Sequence, residues 1–372
     1  MSTATLENDV VLNDPVLNGE AWRNFCAELA DIGDMILDPG NPANPIDRAE
    51  GYRYLTRLLR LGLEQQIEAR DFSFPFFYQL SHTTAKIGAD NPDNVYWNAR
   101  INGSFDYKIT VKRGTMAYFS ILANAFRYQE DGTNLATGKL IDSDIEWDEN
   151  GVAELFASCT PQPKNWLRLE PDANMLIVRQ SYLDRANEKP GEFQIERIGG
   201  PATPEPLNPA ALGAGLKETL SFLRGIVGTF IDWSKLFREK PNSFPDIDQS
   251  MFQKGGGATD IFYAHAYWNL APDEAWVIEV TPPECYYWNF QVDNWWMESL
   301  DYRFVKCTVN KTTAKLEPDG KLILVLSAQD PGFGNWLDTA GHNEGTVLLR
   351  WAGATDNPLP EAKVVKLANI RK

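Results

Sequence analysis

Histidine is nearly missing from this chain: three among 372 residues, His82, His265 and His342, with no two at the spacing of a paired metal ligand. A histidine-built metal centre is therefore not expected, and the expected cofactor and metal are none. The four cysteines, Cys26, Cys159, Cys285 and Cys307, never fall in a Cys-x-x-Cys pair, so no zinc knuckle or redox couple is visible. No run of 18 apolar residues occurs, and the amino terminus lacks the basic start and apolar centre of a secretory leader. Reduced thiols and a cytoplasmic location are the expectation. Positive charge is also short, with 35 Lys and Arg against 51 Asp and Glu, a net charge of −16. Nucleic acid and anionic membrane surfaces would be repelled. No Gly-x-Ser-x-Gly elbow, kinase motif or dinucleotide motif is present. The Gly255-Gly256-Gly257 triplet precedes a strand pattern, not a helix, which excludes a phosphate loop.

Aromatic residues, by contrast, are abundant: 12 Trp, 13 Tyr and 19 Phe. Such residues fill cores, and they also line binding clefts. The most informative pattern occurs twice, about 170 residues apart. Asn150-Gly151, Ser158, Asn165-Trp166-Leu167 and Leu176 to Arg179 are answered by Asp319-Gly320, Ser327, Asn335-Trp336-Leu337 and Val347 to Arg350. Tyr96-Trp97-Asn98 and Tyr287-Trp288-Asn289 read as a further matched pair upstream. Ordered recurrence of rare residues indicates a duplicated β domain.

Helical spacing over residues 18–37 and 45–70 predicts two amino-terminal helices, the second with Asp47 as its cap. Period-2 alternation then predicts short strands, among them 99–103 paired with 107–111, 116–121, 176–180 and 193–197. A Gly- and Pro-rich link and a helix over 209–238 precede a second set of strands. The fold class expected is mainly β with added helices (α+β): two tandem β-sandwich or jelly-roll-like domains related by internal duplication. The boundaries read are 1–71 for an arm and helices, 72–200 for the first sandwich, 201–258 for linker and helix, and 259–372 for the second sandwich.

Candidate chemistry concentrates in the second half. His342 follows Asp330-Pro331-Gly332 and Asn335-Trp336 in a Gly-rich loop, where imidazole, carboxylate and aromatic groups come together on a β frame. Tyr263, His265 and Tyr267 alternate along one strand and share a face. Trp295 and Trp296 are expected to point to opposite sides of a strand. Arg179 and Arg350 end apolar runs in corresponding places; recurrence favours an ion pair that fixes sheet packing, with anchoring of a carboxylate or phosphate as the functional reading. The catalytic set expected is His265, His342, Asp330 and Tyr263, and the substrate-binding set Trp288, Trp336, Trp268, Arg350 and Asn335. The first copy has Thr160-Pro161-Gln162-Pro163 where the second has Gln329-Asp330-Pro331-Gly332, which points any site to the second copy or to the space between the two.

Asp330-Pro331-Gly332, Asn335-Trp336-Leu337 and Arg350-Trp351 together resemble the carboxy-terminal signature of domain-of-unknown-function family 1214. Asp90-Asn91-Pro92-Asp93-Asn94-Val95-Tyr96-Trp97 is similar to the amino-terminal part of such proteins, and family 1254 has a comparable Asn-Pro-Asp-x-x-Tyr element. The similarity spans residues 85–370. It implies β-sandwich domains and no particular activity. The leading functional expectation is a cofactor-independent lyase, isomerase or hydrolase acting on a small apolar or aromatic metabolite. A glycan-binding or glycan-hydrolysing protein and a non-catalytic oligomeric binding protein are the alternatives. The partners expected are a small-molecule ligand and further copies of the chain in a homo-oligomer.

Overall fold

The structure, a computed structural model, describes residues 13–128 and 130–370; most of the expected amino-terminal arm lies outside them. Helix α1 (Glu20–Asp34) ends in a 3-10 turn, and α2 (Pro45–Leu63) in a π turn over Glu64–Glu68. The cap of α2 is Asn44, whose Oδ1 accepts the Asp47 N–H at 3.0 Å, so Asp47 sits one turn inside the helix instead of capping it. Pro45 in the first turn sacrifices an N–H that has no helical partner anyway.

The first sandwich contains β1 (Asn94–Arg100), β2 (Tyr107–Lys112), β3 (Tyr118–Arg127), β4 (Thr133–Ile141), β5 (Val152–Ser158), β6 (Trp166–Arg168), β7 (Met175–Ser181) and β8 (Glu192–Arg197). Helices α3 (Pro209–Arg238) and α4 (Gln249–Lys254) follow. The second sandwich contains β9 (Ile261–Asn269), β10 (Glu274–Val280), β11 (Tyr287–Asp293), β12 (Thr308–Asn310), β13 (Leu322–Ser327), β14 (Trp336–Asp338), β15 (Glu344–Ala352) and β16 (Glu361–Lys366).

Sheet orders β1-β7-β3-β4 and β6-β5-β2-β8 recur strand for strand as β9-β15-β11-β12 and β14-β13-β10-β16. The duplication is therefore complete. Two details differ from the sequence reading. Strands β1 and β2 do not pair; β1 joins β7 and β2 joins β5 and β8, on opposite sheets. Tyr96-Trp97-Asn98 lies on β1, whereas Tyr287-Trp288-Asn289 lies on β11, the counterpart of β3, so the triplets are not equivalent. The counterpart of Tyr96 is Tyr263: each stands directly across from the recurring arginine, Tyr96 from Arg179 and Tyr263 from Arg350.

The recurring asparagines clamp the sheets. Asn165 Nδ2 donates to the Glu146 and Glu154 carbonyls and its Oδ1 accepts the Glu146 N–H. Asn335 does the same with Lys315 and Ile323. The partner indoles, Trp166 and Trp336, each donate to a serine carbonyl, of Ser158 and Ser327.

Each sandwich has its own apolar filling, and a third cluster joins the helices to the outer faces of β1-β7-β3-β4 and β9-β15-β11-β12. Both faces of these sheets are thus covered. Along β15, Val347, Leu349 and Trp351 enter the second sandwich, while Leu348 enters the joint cluster. Trp295 and Trp296 are in a turn after β11, and both pack fully buried into the joint cluster, not onto opposite faces of a strand. Among the described residues no helix is long and apolar enough to cross a membrane.

Candidate functional site

Because alternate residues of a strand face opposite ways, the residues left over from the two sandwich fillings point toward each other. Between them lies a cavity of about 160 Å³. Cavities of roughly 150 Å³ accept a benzene-sized molecule. Its walls come from both halves: Tyr96, Tyr118, Phe126 and Arg179 from the first, Tyr263, His265, Tyr287 and Arg350 from the second. Phe230 and Trp233 of α3, Phe252 of α4 and the Gly255-Gly256-Gly257 loop close one side. Tyr286, 41 % exposed and stacked on Tyr118 at 5.0 Å, marks where the cavity meets the surface.

Two guanidinium groups enter this space, and neither makes an ion pair among the described residues. Arg179 Nη2 donates to the Gly256 carbonyl at 2.6 Å, while its Nη1 is buried with no hydrogen-bond partner. Arg350, 5 % exposed, donates to the Ala89 carbonyl at 2.5 Å, to Asn289 Oδ1 at 3.3 Å and to Gln291 Oε1, all neutral acceptors. The structural ion pair expected of the recurring arginines is thus not what holds them. The one lining carboxylate among the described residues, Asp90, is occupied by the Ser299 N–H and hydroxyl at 3.0 and 2.9 Å.

Hydroxyls flank the cations. Tyr263 Oη accepts the Ala258 N–H at 2.8 Å, and Tyr96 Oη accepts the Asn91 N–H at 3.0 Å. Neither phenol donates its own proton to a described residue, so both protons are free for a ligand. Burial holds the Tyr263 phenol above its ordinary pKa, against the pull of Arg179 and Arg350. His265 is stacked on Phe237 at 4.9 Å and packed on Phe252 and Trp233. Burial, with Arg350 adding to it, pushes the imidazole well below its usual pKa, so it is neutral. Its Nδ1 is buried without a partner. Asn98 occupies the corresponding position on β1, so only the second half brings an imidazole.

Of the residues singled out from sequence, Tyr263, His265 and Arg350 meet here. The others do not. Trp268 and Trp288 point into the second sandwich, one residue out of phase with His265 and Tyr287. Asn335 and Trp336 form the sheet clamp. Asp330 is exposed and accepts the Gly332 N–H at 2.7 Å, closing its own turn. His342 is buried in the turn just before β15, beside Asp47 and Glu50 of α2, with candidate ligand atoms of the three all within 4.8 Å of one another. Arg179, Tyr96 and the glycine loop are lining groups outside the site expected from sequence. A signal for them exists: Tyr96 and Tyr263 precede the recurring arginines at nearly equal separations.

The chain is similar over 96 % of its length to the crystal structure of an uncharacterized protein from Burkholderia cenocepacia, at 45 % identity and TM-score 0.94, covering 99 % of that chain. A protein of known structure from Vibrio parahaemolyticus is 11 % identical over 91 % of this chain and all of its own, with TM-score 0.48, too loose a likeness to argue from. No family model matches the chain. No curated protein matches it.

Proposed function

The chain belongs to the same family as the Burkholderia cenocepacia protein, and for it we propose cofactor-independent proton-transfer chemistry, of lyase or isomerase type, on a small aromatic or apolar acid held between the two sandwiches. The observation that carries this reading is the pair of guanidinium groups without a bonded carboxylate, one of them with a buried Nη1 lacking any acceptor. A carboxylate supplies the missing acceptor in a bidentate, charge-assisted contact. The aromatic walls of Phe126, Phe230, Trp233 and Phe252 suit a single ring behind it.

His265 is the group for the proton. A neutral imidazole with a buried, unpartnered Nδ1 is a proton acceptor once a ligand reaches it, and a bound anion offsets the Arg350 charge that opposes protonation. Tyr263 and Tyr96 present donors toward charge that builds on the ligand. A glycan hydrolase is disfavoured, because a carboxylate pair is its working part and the lining among the described residues offers only Asp90. Kinship with domain-of-unknown-function family 1214 is proposed alongside; its support is that Asp330 to Leu337 fold as one turn and clamp of the second sandwich.

A thermal-shift and calorimetric screen of aromatic carboxylates against their neutral amides tests the reading. Acids are expected to bind and amides not to. Arg179→Ala and Arg350→Ala should each lose about 1.5–3 kcal/mol of binding, the value of a hydrogen bond to a charged group. His265→Ala should abolish turnover with binding retained. Equal binding of acid and amide, or undiminished binding by the double arginine variant, sinks the proposal.

A further inference from the structure

We propose that Asp47, Glu50 and His342 form a divalent-metal site that fastens α2 to the second sandwich. None of the three lines the cavity described above. Asp47 and Glu50 are three apart on α2 and so share a face. His342 comes from the turn between β14 and β15.

The geometry favours an ion over a simple ion pair. His342 Nε2 lies 2.8 Å from Glu50 Oε2 but 4.0 Å from Asp47 Oδ1. A proton on Nε2 therefore serves Glu50 alone. Asp47 is fully buried, and its Oδ1 has no hydrogen-bond partner. An acceptor in that position is costly to leave unmet. The three ligand atoms lie within 4.8 Å of one another, so a small closure of the side chains brings all three to the about 2.0–2.2 Å that a metal ion requires.

The surroundings are those of a ligand set. Nδ1 of His342 donates to the Thr339 carbonyl at 2.9 Å, which directs the Nε2 lone pair to the carboxylates. Asn44 Nδ2 holds Asp47 Oδ2 at 2.5 Å, and Asn294 Nδ2 holds Glu50 Oε2 at 2.8 Å. Each ligand thus has a second partner fixing its direction. Glu50, 16 % exposed, leaves a path for the ion and for water to complete its shell. One imidazole and two carboxylates, with no thiolate, suit a first-row divalent ion such as Zn²⁺ or Mn²⁺ over Cu⁺ or an iron–sulfur cluster.

The test uses the full chain, stripped with chelator and dialysed against Zn²⁺ or Mn²⁺. Elemental mass spectrometry is expected to find one ion per chain, and thermal unfolding should shift upward with the metal. Asp47→Asn keeps the Asn44 contact while removing the charge, and His342→Gln keeps the bulk. Each should weaken binding more than tenfold, while Asp330→Asn, at an exposed turn, should leave it unchanged. Should His342→Gln fail to fold, Asp47→Asn decides alone. Less than one ion per chain with both metals, or Asp47→Asn binding like the parent protein, overturns the site.

Discussion

His265 is buried among three aromatic rings and feels the charge of Arg350, so burial and repulsion act on it in the same direction. The consequence for stability has a definite sign. Above its ordinary pKa of 6.5 the imidazole is neutral in both folded and unfolded chains, and contributes no pH dependence. As pH falls below that value the unfolded chain takes a proton that the folded one refuses until its own, depressed pKa is reached. Stability is therefore lost through that window, by at most about 1.4 kcal/mol per pH unit for one group. A phenyl ring in place of the imidazole fits the same aromatic stack without titrating. Urea unfolding of the parent and the His265→Phe variant, followed from about pH 8 to about pH 5, should show the parent losing stability relative to the variant below the ordinary imidazole pKa. A constant difference across the range would mean the imidazole is solvated and ionises freely, and would remove it as the neutral acceptor of the cavity. The same residue marks how far the sequence is legible. Alternation places Tyr263, His265 and Tyr267 on one face, and that face does meet the helices and the cavity. Trp268 belongs with them by chemistry, but its parity is opposite, and it is buried in the second sandwich.

At the level of elements, the feature easiest to read, the recurring Asn-Trp-Leu, turns out to hold sheets together. Rare polar residues recur where backbone groups need partners, as well as where substrates do. Asn335 is 3 % exposed and meets three backbone groups at once. Its replacement by Ala is expected to cost about 1–3 kcal/mol for the buried groups left unmet, and Asn165→Ala should cost a similar amount in the first sandwich. Neither should change affinity for an anionic ligand, because neither side chain touches the cavity. Urea midpoints beside binding isotherms separate the two effects. A loss of affinity at full stability would return the clamp to the site. The strands themselves are legible in part. β8 alternates cleanly because one face is solvated, whereas β3 and β15 are covered on both faces, so their burial follows no period and the expected strand 116–121 misses the second half of β3. The pairing of β1 with β7 is not legible, since partners far apart in sequence are chosen by the closed sandwich and not by a local turn.

For the whole molecule, the decisive question is whether two sandwiches behave as two beads. Their own fillings are separate, but the third cluster draws Phe126 and Ile177 from the first, Tyr267 and Leu348 from the second, and Leu58, Phe222 and Phe230 from the helices. Gly51 of α2 lets this joint close: a Cβ there would stand 2.5 Å from the Trp296 ring and 2.7 Å from Ile36, nearer than packing allows. Arg57 of α2 meets Glu298 of the second half at 2.6 Å with the carboxylate buried, a contact costly to break from either side. The cavity is built across the same joint, with one arginine from each half. Separation of the halves would expose the joint cluster and divide the anion site in one step, so neither half has a reason to persist alone. Calorimetry is expected to show one transition, with calorimetric and van't Hoff enthalpies equal, and an anionic ligand should move that transition as a unit. Two resolved transitions, with only one displaced by ligand, would instead place the binding energy within a single sandwich and leave the other arginine without a part in it.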